Sequence, residues 1–246
     1  MTLALIIVFT TLGSIVSVGL AGIFLFLGEE KLERATDRLI PYAIGTLLAA
    51  AFGGMIPEAQ EGLGAEKALP VVMAGIFLFY MLEKFALWRH CHEKHCEQHH
   101  YAAPLILIGD SLHNFVDGVA IAVSFLTSAP LGIMTSVAII SHEVPQEVGD
   151  FAILLHGGYS RKKALIFNGL SSLVAFCGAL LTFIFIGAAQ FLVPYLMALS
   201  ASSFIYIALA DLVPGRRKGG GGLLPEVLLM GLGVATILGL HAVMPH

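Results

Sequence analysis

Asp110, His113, Asn114 and Asp117 recur at i, i+3, i+4 and i+7. On a helix that spacing puts them along one stripe. A second set, His142, Glu143, Gln146, Glu147 and Asp150, follows at three- and four-residue intervals about one helix length later. Both sets lie inside long apolar runs, where an isolated charge costs at least about 2.5 to 3.5 kcal/mol at mid-membrane depth. So many ionisable groups on two neighbouring segments call for a compensating charge. Imidazole, carboxylate and amide oxygen form a mixed N/O donor set suited to divalent first-row metals, and a bound cation would offset the acids. One His or acid alone would be read as an interhelical hydrogen-bond partner, but packing has no use for this much buried negative charge. Pro145, inside the second set, removes a backbone donor and frees the Ser141 carbonyl beside His142.

A second metal signal is compositional. His90, Cys91, His92, His95, Cys96, His99 and His100 fall within the twelve residues from Arg89 to His100. They lack the paired spacing of a folded zinc finger, so the segment reads as a flexible, exchanging metal acceptor. Three cysteines, the third being Cys177, are too few for a disulfide scaffold. Glu58 and Asp211 fall at segment ends and read as interfacial, and Glu226 suits the first turn of the last helix.

The elements that must carry these residues are membrane spans. The chain has 246 residues, is 57% hydrophobic and 12% charged, and its mean hydropathy is +0.88. Soluble domains carry about twice that share of charge. The apolar runs predict an all-α membrane protein of eight transmembrane helices near residues 2–27, 39–58, 68–88, 102–127, 131–156, 163–189, 191–212 and 223–244. They form a single domain over 1–246, with the metal site between helices 4 and 5. The first run lacks a cleavage pattern and is read as a retained span. Of thirteen basic residues, all but Lys67 fall on one side of this layout. By the positive-inside rule that side is the cytoplasm, which puts both termini outside and the His/Cys-rich loop, about 89–101, inside. Pro41-Tyr42 to Pro57 in span two is faintly echoed by Pro194-Tyr195 to Pro214 in span seven, as inverted repeats can be. The net charge of −4 is small and scattered, which argues against nucleic acid as a partner.

At the two stripes the chain resembles the ZIP (Zrt/Irt-like) family of metal-ion transporters, in the branch whose fourth and fifth spans read HNFxDG and HExPxExGDFxxLL. Here the residues are His113-Asn114-Phe115-Val116-Asp117-Gly118 and His142-Glu143-Val144-Pro145-Gln146-Glu147-Val148-Gly149-Asp150-Phe151, continuing to Leu155. The resemblance implies a binuclear centre between spans four and five and transport into the cytoplasm. Carried over by position, His113, Asp117, His142 and Gln146 would line the main site, and Asn114 and Glu143 the second, with Asp117 bridging. Gln146 stands where many relatives place His or Glu, and span six offers Asn168, Ser171 and Ser172 where some contribute a Glu.

The leading reading is therefore a divalent metal-ion uptake transporter and not an enzyme. Zinc is the expected cargo, with iron, manganese and cadmium as alternatives. A proton or other cation carrier is a second reading, which the His-rich loop disfavours. An intramembrane metalloprotease is a third, because His142-Glu143 begins an HExxH-like run, but Gln146 replaces its second His. The expected setting is the plasma (cell inner) membrane, with the lipid bilayer and the metal ion as partners and a homodimer as an option.

Overall fold

The computed structural model describes residues 1–24, 29–88, 98–156, 158–186, 190–213 and 222–243. Everything regular among them is helical: α1 (Thr2–Phe24), α2 (Glu29–Ala50), α3 (Ile56–Leu63), α4 (Ala65–Trp88), α5 (Gln98–Thr127), α6 (Ala129–His156), α7 (Arg161–Ser172), α8 (Val174–Ile186), α9 (Val193–Tyr206) and α10 (Leu223–Val243). A π-helical turn, Ala51–Met55, joins α2 to α3, and another, Ile207–Leu212, extends α9. His90, Cys91, His92, His95 and Cys96 lie outside the described residues. His99 and His100 belong to the backbone of α5, and their side chains too lie outside the description.

Six helical stretches are long and apolar enough to cross a membrane: Thr2–Ile23, Arg38–Leu63, Ala65–Leu82, Arg161–Ile186, Gln190–Ala210 and Leu223–Val243. α5 and α6, which carry the two polar stripes, are not among the six found in the described residues. The surface is apolar: Phe52, Phe77, Phe185, Phe191, Leu224 and Leu228 are all exposed, as lipid-facing side chains are. The interior combines large apolar side chains such as Leu47, Met134, Phe151 and Phe204 with small and polar ones, including Thr46, Ser124, Thr135, Ser136, Ser202 and Ser203. Hydroxyls bond within the bundle, as where Thr135 Oγ1 donates to Ser124 Oγ at 2.9 Å and Ser202 Oγ to the Val72 carbonyl at 2.9 Å.

Helical boundaries depart from the sequence expectation in three places. Glu29 to Arg38, expected as a loop, is already helix, because its Glu, Lys, Leu and Arg residues are strong helix formers with no glycine or proline before Pro41. The expected loop from Glu58 to Lys67 shrinks to Gly64, whose φ of +76° breaks the chain between α3 and α4. The sixth apolar run bends at Leu173, directly after Ser171 Oγ bonds back to the Phe167 and Asn168 carbonyls, a pattern that bends helices.

Two glycine-paired crossings hold the bundle. A Cβ on Gly118 of α5 would meet the Ala175 carbonyl oxygen at 1.8 Å, and one on Gly178 of α8 would meet that of Phe115 at 2.2 Å. Gly45 of α2 and Gly233 of α10 stand in the same relation to Met230 and Tyr42. With lipid on both sides there is little hydrophobic drive to bring helices together, and such backbone-to-backbone approach supplies the packing. α5 thereby rests on α8 along one side while its polar stripe turns toward α6.

Candidate metal centre

α5 contributes His113 and Asp117, one turn apart, and α6 contributes the consecutive pair His142 and Glu143. One donor atom from each lies within 4.8 Å of the donors of all the others, the one such grouping of His, Cys, Asp and Glu among the described residues. His113 Nε2 is 3.1 Å from His142 Nε2, 3.2 Å from Glu143 Oε1 and 3.7 Å from Asp117 Oδ2. His142 Nε2 is 3.1 Å from Asp117 Oδ2 and 3.8 Å from Glu143 Oε1. Donors bound at about 2.0–2.1 Å to a tetrahedral zinc stand about 3.3 Å from each other, in the middle of these separations.

The protonation pattern favours a cation at the centre. His142 Nδ1 lies 3.1 Å from the Ala138 carbonyl, which can only accept, so that nitrogen carries the hydrogen. In the neutral ring the lone pair is then on Nε2, aimed at the cluster, the arrangement by which a backbone carbonyl orients a ligand imidazole. Both Asp117 oxygens and Glu143 Oε1 are buried without a hydrogen-bond partner. The imidazole nitrogens are near them in distance but not in hydrogen-bond direction. Four buried carboxylates crowd this part of α5 and α6: Asp110, Asp117, Glu143 and Glu147. At about 2.5 to 3.5 kcal/mol each, their uncompensated burial would cost on the order of 10 kcal/mol or more, comparable to the whole stability of a typical domain.

A further wall comes from α9. Phe204, fully buried, stands edge-on to His142 with ring centroids 6.0 Å apart, and keeps the inner imidazole dry. His113 keeps 13% of its side chain accessible while Asp117 keeps 2%, so the cluster opens at the His113 ring.

The other expected ligands divide by their partners. Asn114 spends its amide nitrogen on Asp110, donating to Oδ1 at 2.9 Å and to the backbone carbonyl at 3.1 Å. Gln146 is half-buried, and with Ser171 it faces the Asp110 carboxyl. Glu147 is fully buried against α7: Ser172 Oγ donates to its Oε1 at 2.6 Å, and Asn168 Nδ2 donates to its backbone carbonyl at 3.1 Å. Asp110 Oδ2, Glu147 Oε2 and Asn168 Oδ1 are left without partners. Asp150 is half-buried one turn beyond Gln146. Glu143 thus stands with the His113–Asp117–His142 group, whereas Asp110, Asn114, Gln146 and Glu147 form an adjoining polar layer that reaches α7. Phe204 escapes a reading of polar residues alone, and a lone Phe in an apolar run carries no signal that would single it out.

The ZIP zinc transporter family profile matches residues 87–241, which contain every residue of the centre. The chain is 45% identical to the human zinc transporter ZIP6 over 111 residues, which is 45% of this chain and 15% of that protein. It is 40% identical to the human zinc transporter ZIP4 over 114 residues, 46% of this chain and 18% of the other. To the bovine metal cation symporter ZIP14 it is 40% identical over 151 residues, 56% of this chain and 30% of the other. In each case the match spans less than a third of the relative's length.

Proposed function

The chain belongs to the ZIP zinc transporter family, and from that premise we propose that it carries a divalent metal ion, zinc, through the membrane into the cytoplasm by way of His113, Asp117, His142 and Glu143. One observation carries the reading above all others: four donor atoms from two helices converge within 4.8 Å, and three carboxylate oxygens there are buried without a hydrogen-bond partner. A set of acceptors that cannot satisfy one another is satisfied by a cation. Zinc is favoured because the donor separations match tetrahedral N/O coordination and because the relatives' names specify it.

In this reading the chain is an eight-span, multi-pass protein. At 1.5 Å per residue the 30 residues of α5 and the 28 of α6 extend over about 40 Å, longer than the roughly 30 Å hydrocarbon core. They cross the membrane with their charges turned toward each other and away from lipid. The positive-inside asymmetry supports an orientation with both termini outside and the His/Cys-rich segment in the cytoplasm, where it would receive metal if transport runs inward as the family resemblance implies. The adjoining layer of Asp110, Asn114, Gln146 and Glu147 serves as a second station, visited by the ion in transit rather than filled at rest. A protease reading lacks its second ligand at Gln146, and we read the chain as a transporter and not an enzyme.

The test is flux. Protein reconstituted into liposomes with a zinc-sensitive dye inside should show influx that falls at least tenfold in Asp117→Ala and in His142→Ala. Influx equal to wild type in both variants would refute the assignment.

A further inference from the structure

On the flank of the bundle α1 and α7 leave between them a cleft of about 680 Å³. Its walls are mostly apolar, including Ile15, Val18, Leu165 and Leu173, and its mouth is set by two adjacent cations, Arg161 and Lys162, in the first turn of α7. We propose that this cleft is a binding site for one anionic glycerophospholipid, with the phosphate held between Arg161 and Lys162 and an acyl chain lying along α1 and α7.

Dimension, charge and shape each support the assignment. From Lys162 to Leu173 the cleft follows α7 for eleven residues, about 16 Å at 1.5 Å per residue. Along α1 it runs from Ser14 to Ile23, about 14 Å. Both lengths equal the depth of one leaflet, half of a roughly 30 Å hydrocarbon core. The charges sit at one end of that length, at the membrane surface, where a headgroup phosphate lies. The start of a helix adds its positive dipole end to the two side chains. Lys163, the next residue, is turned elsewhere: its Nζ stands 5.0 Å from the centroid of the Tyr159 ring and 5.9 Å from that of Phe167. Arg161 and Lys162 are therefore the pair presented to the cleft.

Glycines keep the cleft open. Gly19 and Gly169 line it, and a Cβ on either would meet nothing within 4 Å. They are thus not close-approach glycines like Gly118, and they border space that an acyl chain can fill. At the inner end Ser14 Oγ donates to the Ser172 carbonyl at 3.1 Å, tying α1 to α7 and closing the floor. Ser172 is also the donor to Glu147, so a lipid in the cleft would press on the wall of the polar layer. The proposal rests on the membrane-spanning reading but not on transport or on any metal ligand.

The experiment is native mass spectrometry of the full chain released from nanodiscs of equimolar phosphatidylglycerol and phosphatidylcholine, scoring lipid retained per chain. The expected result is one phosphatidylglycerol retained in preference to phosphatidylcholine. Each basic residue near a charged membrane surface is worth about a factor of five, so Arg161→Gln with Lys162→Gln should lower retention about twenty-five-fold. Gly19→Leu with Gly169→Leu, which fills the cleft without changing charge, should lower it comparably, with a wild-type melting temperature and monodisperse elution as the check that the fold is intact. Equal retention of the two lipids would overturn the proposal. So would loss in the charge variant but not the cleft variant, since that is surface attraction alone. A lipid-free protein dimer that the glycine variants dissociate would assign the cleft to a second copy of the chain instead.

Discussion

Replacing Asp117 by asparagine should move metal affinity and metal-free stability in opposite directions. The substitution keeps shape and removes one charge from a side chain that is 1% exposed and whose two oxygens have no hydrogen-bond partner. Without metal, wild type bears the cost of an uncompensated carboxylate, about 2.5 to 3.5 kcal/mol on the lenient membrane scale. The two imidazoles nearby recover part of that, leaving a gain of about 1 to 2 kcal/mol for the amide. At roughly 2 to 4 °C per kcal/mol for a chain of this size, Asp117→Asn should unfold about 2 to 8 °C above wild type in chelator. With metal the sign reverses, since exchanging a charged ligand for a neutral one removes about 1.5 to 3 kcal/mol, a ten- to hundredfold weaker Kd. Thermal unfolding in detergent, followed by intrinsic fluorescence with chelator and then with a zinc series, reads both quantities. An Asp117→Asn variant that melts below wild type in chelator would refute the reasoning, because it would mean that Asp117 is held by structural ion pairs and needs no cation.

Other perturbations separate the parts of the centre. Ser172→Ala removes the 2.6 Å hydrogen bond to Glu147 and leaves a second buried carboxylate oxygen unpaired. It should cost about 1 to 3 kcal/mol of stability, read as a fall in melting temperature with the zinc content of the four-residue cluster unchanged. Gly118→Ala puts a Cβ 1.8 Å from the Ala175 carbonyl oxygen, so the yield of monodisperse protein should collapse, whereas Gly109→Ala, with nothing within 4 Å, should be tolerated. Phe204→Ala opens the wall behind His142. It should lower stability by about 3 to 5 kcal/mol and raise solvent exchange at the His142 ring, measured by NMR of labelled imidazole. Serine in place of His90, Cys91, His92, His95, Cys96, His99 and His100 should reduce total bound zinc while leaving a stoichiometric ion at the intramembrane centre, measured by elemental analysis.

The two polar stripes are legible in the sequence because helical period and apolar context are both local properties of the chain. A residue three or four positions on shares a face whatever the fold does, so Asp110, His113, Asn114 and Asp117 had to fall together. The grouping within the site is less legible. His142 and Glu143 both fall within the second stripe, but periodicity does not say which of its residues meets which residue of α5. Side-chain reach brings both to the ring of His113. Likewise Gln146 continues the stripe of His142, yet it faces Asp110. The Glu29–Arg38 helix is hidden because its charge reads as loop, when a charged segment of good helix formers can continue a span beyond the apolar zone. The bend at Leu173 follows from where Ser171 directs its hydroxyl. The wall at Phe204 is a tertiary consequence of α9 packing against α5, which brings the Phe204 ring to His142, and no local pattern encodes it.

Zinc K-edge X-ray absorption on the purified protein, with the seven His and Cys residues of the 90–100 segment replaced, tests the central claim most directly. One zinc per chain, bound by four N/O donors at about 2.0 Å with the scattering signature of two imidazoles, is the predicted result, with one imidazole lost in His142→Ala. A chain that holds no zinc under these conditions, or one whose zinc spectrum is indifferent to His142→Ala, would contradict the account.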